Sequence, residues 1–289
     1  MNQKNINLYT FPKAFYDIDA VTVLLHHENN SILYKRLNAD VVNTDVITVS
    51  HVIVYVVNGK VEINTDDGKH IVATNGEMVF MPRDSYMVSD YIRNGQDLEV
   101  FLLFFDHDIA LSFLGSRSIS MSSSESICKL KTSKNISYFF ESLQKMEFVD
   151  KNNKELLTLK ILEFLHLVFQ DNNVKFIETL YTSERDKQKR NITTLMLEHL
   201  DKNLTVSDYA SLLGMSLSTF NRKFKEKYHT TPKSWLIEQK MHKAHKLLKE
   251  GNSVTQSAFD VGYLNVSNFI KAYKSVYGNT PKSMQSNPL

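Results

Sequence analysis

Cysteine is nearly missing from this 289-residue chain, with Cys128 the only one. One thiol excludes an internal disulfide framework and any zinc site built on several cysteines. It fits a reducing, intracellular setting. A long apolar run is lacking too. The most hydrophobic segment, Leu156 to Phe169, is interrupted by Lys160, Glu163 and His166, and it falls short of the ~20 residues of a membrane helix. The opening MNQKNINLYTFPK has no apolar core or small-residue cleavage site of a secretory signal. Metal grammar is also absent, because His26, His27, His51 and His70 lack the spacing of a ligand cluster. They read as surface or satisfied core histidines. The expectation is a cytoplasmic chain with no metal, no cofactor and no membrane partner.

The remaining composition is ordinary, at 42% hydrophobic and 23% charged, and the length suggests about two domains. Net charge is only +2, but it is unevenly spread. Residues 190–289 hold 14 Lys and Arg against 7 Asp and Glu, while residues 1–189 hold 20 against 25. A basic segment joined to an acidic one suggests that the C-terminal part meets a polyanion.

Residues 18–104 read as strands. VITVSHVIVYVVNG (46–59) ends in Asn58-Gly59, a hairpin signal, and Asp67-Gly68 is a second. GEMVFMP (76–82) and DLEVFLLFF (97–105) are further strands, and the spacing suggests a β-barrel or sandwich. The Ser-rich stretch 116–126 reads as a loop. Residues 136–148 and 155–169 are helix candidates, the second apolar over more than one face. The pattern divides the chain into a regulatory domain over 1–175, a polar linker over 176–190 and a C-terminal helical domain over 191–289.

That last segment contains a duplication. Leu213-Gly214-Met215 is matched by Val261-Gly262-Tyr263, and Phe224-Lys225 by Tyr273-Lys274. Tyr228 is matched by Tyr277, and Thr231-Pro232-Lys233-Ser234 letter for letter by Thr280-Pro281-Lys282-Ser283. Each copy has the grammar of a helix-turn-helix. Thr205 caps a support helix with Asp208 three residues on, Gly214 supplies a left-handed end, and Ser216 caps a second helix. Phe220 and Phe224 face inward, leaving Ser218, Asn221, Arg222 and Lys225 outward. In the second copy VTQSAFDVG is the support helix and Asn265 caps the reading helix. Between the copies, Lys233 to Lys249 forms one helix of roughly 25 Å. Such a connector can set two reading helices in successive major grooves, about 34 Å apart.

With GMSLSTFNRKFKEKY, the Lys240-Met241 and Ala244 connector, and SAFDVGYLNVSNFIKAYKSVYGNTP in place, residues 192–284 resemble the DNA-binding domain of AraC/XylS-type regulators. The resemblance implies base contacts from Ser218, Asn221 and Arg222 in the first unit and from Val266, Ser267, Ile270 and Lys271 in the second. Lys225 and Lys274 would touch phosphates. Arginine can bond a guanine edge bidentately and asparagine an adenine edge. There are departures: Ser257 stands where the family usually has an aliphatic residue, and Ile270 and Lys271 replace the commoner polar residue and arginine. The second unit should therefore specify less than the first.

The strand-rich part resembles the cupin-like barrel of many such regulators, and GEMVFMPRDSYMVS (76–89) also resembles the type III secretion activators within the family. The fold class implied is α+β, a cupin-like barrel with dimerisation helices followed by an all-α double helix-turn-helix. Tyr55, Phe80, Tyr86 and Tyr91 are candidates to line an effector pocket. Leu156, Leu159, Ile161, Leu162, Leu165 and Phe169 are the candidate homodimer surface. The implied partners are promoter DNA, RNA polymerase, a second copy, and a small effector or regulatory protein. The rival reading is a DNA-repair or cupin-type enzyme fused to such a domain. It lacks support, because Cys128 stands alone in SESICKLK and the histidine of catalytic cupins is missing near Tyr86 and Met87. The expected role is an activator, not an enzyme.

Overall fold

A computed structural model describes residues 9–115, 126–189 and 192–286. The Ser-rich stretch read as a loop lies, but for Ser126, outside the described residues. The chain divides into two compact units, residues 1–188 and 189–289.

The first unit is built on two sheets. Strands β1 (Tyr9–Phe11), β4 (Val41–Thr48), β9 (Ser85–Tyr91), β6 (Lys60–Thr65) and β7 (His70–Thr74) form one in that order. The other runs β11 (Cys128–Leu130), β8 (Met78–Met81), β5 (His51–Asn58), β10 (Leu98–Phe105), β3 (Asn30–Leu37) and β2 (Val21–His27). Strands β5 and β10 read as continuous apolar runs because both of their faces are buried. Val52, Val54, Val56, Val100, Leu102 and Phe104 point to a core shared with the first sheet. Ile53, Tyr55, Phe101, Leu103 and Phe105 point to a second core with the helices. Those helices are α1 (His107–Leu114), α2 (Lys134–Lys145), α3 (Lys154–Gln170) and α4 (Val174–Lys189).

Three sequence expectations are corrected here. Asp67-Gly68 does close a hairpin between β6 and β7, with Gly68 at φ +84°. Asn58-Gly59 does not, because β5 and β6 lie in different sheets. Gly59, at φ +101°, turns the chain from one sheet to the other where a Cβ would stand 2.5 Å from Leu98 Cδ1. The expected barrel is instead a pair of sheets with no ladder closing them among the described residues. The stretch read as a linker from 176 is helix α4, and its Phe176, Ile177 and Leu180 are buried in the core of the first unit. Charge along its second half hid an amphipathic helix whose buried carboxylate Glu184 is bonded to Arg83.

The second unit is all α: α5 (Ile192–Glu198), α6 (Val206–Leu212), α7 (Leu217–Tyr228), α8 (Pro232–Lys249), α9 (Val254–Asp260), α10 (Val266–Tyr277) and α11 (Pro281–Ser286). The duplication read in the sequence is a duplication of hydrogen bonds. Met215 N donates to Ala210 O at 2.9 Å after α6, and Tyr263 N to Ala258 O at 3.0 Å after α9. Gly214 and Gly262 occupy the left-handed position between, at φ +63° and +77°. Thr231 accepts from Ser234 N and Thr280 from Ser283 N, each at 3.2 Å. The two Thr-Pro-Lys-Ser segments thus make one cap twice.

Candidate nucleic-acid interface

Helix α7 starts at Ser216, whose hydroxyl accepts from Thr219 N at 3.2 Å. It is held down by Phe220 and Phe224, both fully buried, with the Trp235 ring edge-on to Phe224 at 5.8 Å. With that side fixed, the helical period turns Ser218, Asn221, Arg222 and Lys225 outward, and all four are exposed. Arg222 Nη1 lies 3.3 Å from Glu226 Oε1 one turn on, with both side chains more than half exposed. Such a pair is worth little in water, so the guanidinium can leave it for a stronger acceptor.

Helix α10 repeats the design with a different cap. Asn265 Oδ1 accepts from Ser267 N at 2.8 Å and Asn268 N at 3.2 Å. Phe269 and Tyr273 are the buried anchors, and Tyr273 shares a 2.6 Å hydrogen bond with His245 Nδ1. Burial pushes the Tyr273 hydroxyl up to about 12. Ser267, Lys271 and Lys274 are exposed. Val266 and Ile270 are only half-buried, packed against the core of the second copy. They split their surface between that core and solvent, which leaves less of it for any ligand than the sequence suggested. Ser257, the departure in α9, is fully buried and its hydroxyl has no partner.

Helix α8 is one uninterrupted helix of 18 residues. It starts with Pro232 at the first turn, where the missing N–H is no loss. Met241, Ala244 and Leu248 pack it on the second copy. Lys240 was read only as part of the family signature, yet it is almost completely buried and donates to Lys202 O at 3.2 Å. Burial pulls its ammonium down to about 8, against the opposing charge of Asp201. Its period with Met241 and Ala244 is the signal that could have marked it as inward.

The other predicted residues divide. Leu159 is 65% and Phe169 43% exposed, and Leu156 and Leu162 are half-buried. Ile161 and Leu165 are fully buried in their own chain and drop out of any contact surface. Helix α3 is apolar on several faces because most of them meet the sheet and α2. Tyr55, Phe80, Tyr86 and Tyr91 do not line the cavity of the first unit; Tyr55 and Phe80 sit on the helix side of the sheet. His51 is buried against Glu184, whereas His27 and His70 bond Asn152 and Asn64 near the surface. Among the described residues no group of three or more histidine, cysteine or acidic side chains could hold a metal ion. No described helix is long and apolar enough to cross a membrane.

Two family models match the chain. One described as a helix-turn-helix domain matches residues 209–287, and one described as the ExsA N-terminal regulatory domain matches residues 51–179. The HTH-type transcriptional regulator ExsA of Pseudomonas aeruginosa is 24% identical over 237 residues, 79% of this chain and 84% of that protein. The virulence regulon transcriptional activator VirF of Yersinia enterocolitica is 30% identical over 128 residues, 44% of this chain and 47% of that protein. A crystal structure of an apo ToxT variant from Vibrio cholerae aligns over 90% of this chain and 99% of that one, at 14% identity and a TM-score of 0.43.

Proposed function

Because the chain belongs to the AraC family of regulators, in the type III secretion subgroup marked by an ExsA-type N-terminal domain, we propose that it is a sequence-specific DNA-binding transcription activator. One observation carries this reading: two helix-turn-helix copies on a single connector each keep one helix face polar, basic and exposed. Base reading is assigned to Ser218, Asn221 and Arg222 on α7 and to Ser267 and Lys271 on α10, with the free edges of Val266 and Ile270 against thymine methyls. Lys225 and Lys274 are assigned to phosphates. The first copy dominates specificity, since an arginine–asparagine pair discriminates bases better than an apolar edge.

The first unit is the cupin-like regulatory and dimerisation domain in this reading, and its input is a small effector or a partner protein. A homodimer through the Leu159 and Phe169 side of α3 would add a second DNA site and raise occupancy. The protein works in the cytoplasm with promoter DNA and RNA polymerase, and no reaction is assigned to it. Selection from a random duplex pool by the full chain, followed by gel shift, tests the proposal. Enrichment of one motif with two elements about a helical turn apart is expected. Binding without enrichment would overturn it.

A further inference from the structure

Between the two sheets of the first unit lies a cavity of about 600 Å³. Its walls are apolar, among them Val54, Ile63, Leu102 and Phe104, and two ionic side chains break them, Lys35 from β3 and Asp90 from β9. Strand alternation sends both inward. Lys35 follows Leu33 and precedes Leu37, and Asp90 follows Tyr86 and Val88, on the faces that look into the core. Lys35 Nζ donates to Asp90 Oδ2 at 2.7 Å, with the side chains 8% and 10% exposed. Asp90 Oδ1 accepts nothing. An ammonium carries three donors, more than this single acceptor uses. The pair therefore offers one spare acceptor and spare donors, at zero net charge, at the wall of an apolar space.

The space has a mouth. The β4–β9 ladder shifts register between Val41 and Thr44, and Asn43 takes a left-handed turn at φ +53°. Val41 and Val42 stand 40% and 51% exposed there. A buried oxygen without a partner is costly, and water in an apolar cavity this size is poorly held. Both deficits are removed by one kind of occupant.

We infer that the cavity binds a small, mainly apolar molecule whose single neutral head group both donates and accepts, an alcohol or a primary amide, seated on Lys35 and Asp90. A carboxylate head would meet the Asp90 charge, and an ammonium head that of Lys35. A hydrocarbon without a head would leave Asp90 Oδ1 unpaired. The volume falls within the usual range of small-molecule sites. The inference rests on the reading of the first unit as regulatory, but binding is measurable without DNA.

The test titrates the full chain with ten-carbon probes, 1-decanol, decanamide, decanoate and decylamine, at pH 7.5. The alcohol and the amide are expected to bind at least tenfold more tightly than either ion. Asp90→Asn leaves Lys35 unpaired and is expected to invert the order toward decanoate. The double variant K35M/D90L replaces the ions by apolar side chains, a change that folds tolerate well, and is expected to lose at least tenfold in decanol affinity. Decanoate equalling decanol on the unaltered protein, no binding by any probe, or full decanol affinity in the double variant would each overturn the site. A gel shift run alongside separates the two readings: lost probe binding with intact DNA binding fails the cavity alone, and the converse fails the regulator reading alone.

Discussion

The carbonyl oxygen of Asp201 lies 2.5 Å from the point a Cβ on Gly262 would occupy. The turn of the second helix-turn-helix copy is thereby seated on the loop that precedes α6 in the first. Lys240, from the connector, bonds the next carbonyl, that of Lys202, and its ammonium lies 5.6 Å from the centre of the Tyr263 ring. The relative setting of the two copies is fixed by glycine, lysine and backbone as well as by the stiffness of α8.

Gly262→Ala tests that seat. Gly262 and Gly278 share a left-handed backbone, φ +77° and +75°, but nothing lies within 4 Å of a Cβ on Gly278. Alanine at Gly278 should cost about 1 kcal/mol from backbone strain alone. Alanine at Gly262 adds a clash with backbone and should cost about 3 kcal/mol. Urea melts of the two variants measure the difference. Equal losses would mean that the close approach constrains nothing.

Lys240→Met tests the second tie through pH. The folded ammonium sits near 8, below its unfolded value of about 10.4. Between those values the unfolded chain binds more protons, so stability rises with pH there. The cost of burying the charge is fully present below pH 8 and is relieved by about pH 10. Melting of the native chain should therefore gain on that of Lys240→Met between pH 7.5 and 10. Parallel curves would sink the assignment of the shift to Lys240.

The sequence made the second unit legible down to its caps, because helix-turn-helix chemistry is local. Thr205, Ser216, Asn265 and the paired Thr-Pro-Lys-Ser segments each bond within a few residues of themselves. What could not be read was long-range. Asn58-Gly59 has a hairpin's residues, yet which sheet β6 joins depends on β9, some 25 to 30 residues on. Glu184 looked like one more charge in a polar tail. Its partners, His51, Arg83 and His107, are far away in sequence. The outward residues of α7 and α10 were recovered by period alone, whereas the cavity was sought among aromatics when the signal was an inward lysine at Lys35.

Glu184→Gln should unsettle the first unit. Arg83 Nη2 donates to Glu184 Oε2 at 2.9 Å, and His51 and His107 also bond the carboxylate. Arg83 N donates to His51 Nδ1 at 3.4 Å, which leaves Nε2 as the proton-bearing atom toward Glu184. Burial pushes the Glu184 carboxyl up, but the bonds from His107 and His51 and the Arg83 charge win and hold it well below the usual carboxylate range. Its stabilising contribution is present above the unfolded value of about 4.3 and lost as pH falls through the folded one. At pH 7 the variant leaves a fully buried guanidinium uncompensated and should lose about 3 kcal/mol. The deficit should shrink below pH 4. A loss that is constant with pH would point to shape, not charge.

Leu159→Asp separates the outer face of α3 from its core face. Leu159 is exposed, so the change should leave melting within about 0.5 kcal/mol. If this face joins two copies, sedimentation of the full chain should pass from dimer to monomer. Ile161→Asp, two residues on, buries a charge and should unfold the first unit instead. A clean monomer of the unaltered protein at tens of micromolar would remove the dimer. The full chain is the right material, because a cut at 175 would strip α4 from the core it completes.

Arg222→Ala and Lys225→Ala should weaken DNA binding in different ways, although one turn of α7 separates them. Arg222 is assigned to a base edge, so its loss should cost about 1–3 kcal/mol on the preferred site and relax preference at one position. Lys225 is assigned to a phosphate, so its loss should weaken all sequences alike and lower the salt slope by about 1. Lys271→Ala should cost less than Arg222→Ala, since a lone ammonium cannot bond a base bidentately as the guanidinium fork can. Gel shifts at several salt concentrations on selected and scrambled duplexes read all three quantities. An unchanged affinity in Arg222→Ala beside abolished binding in Lys271→Ala would reverse the roles of the two reading helices.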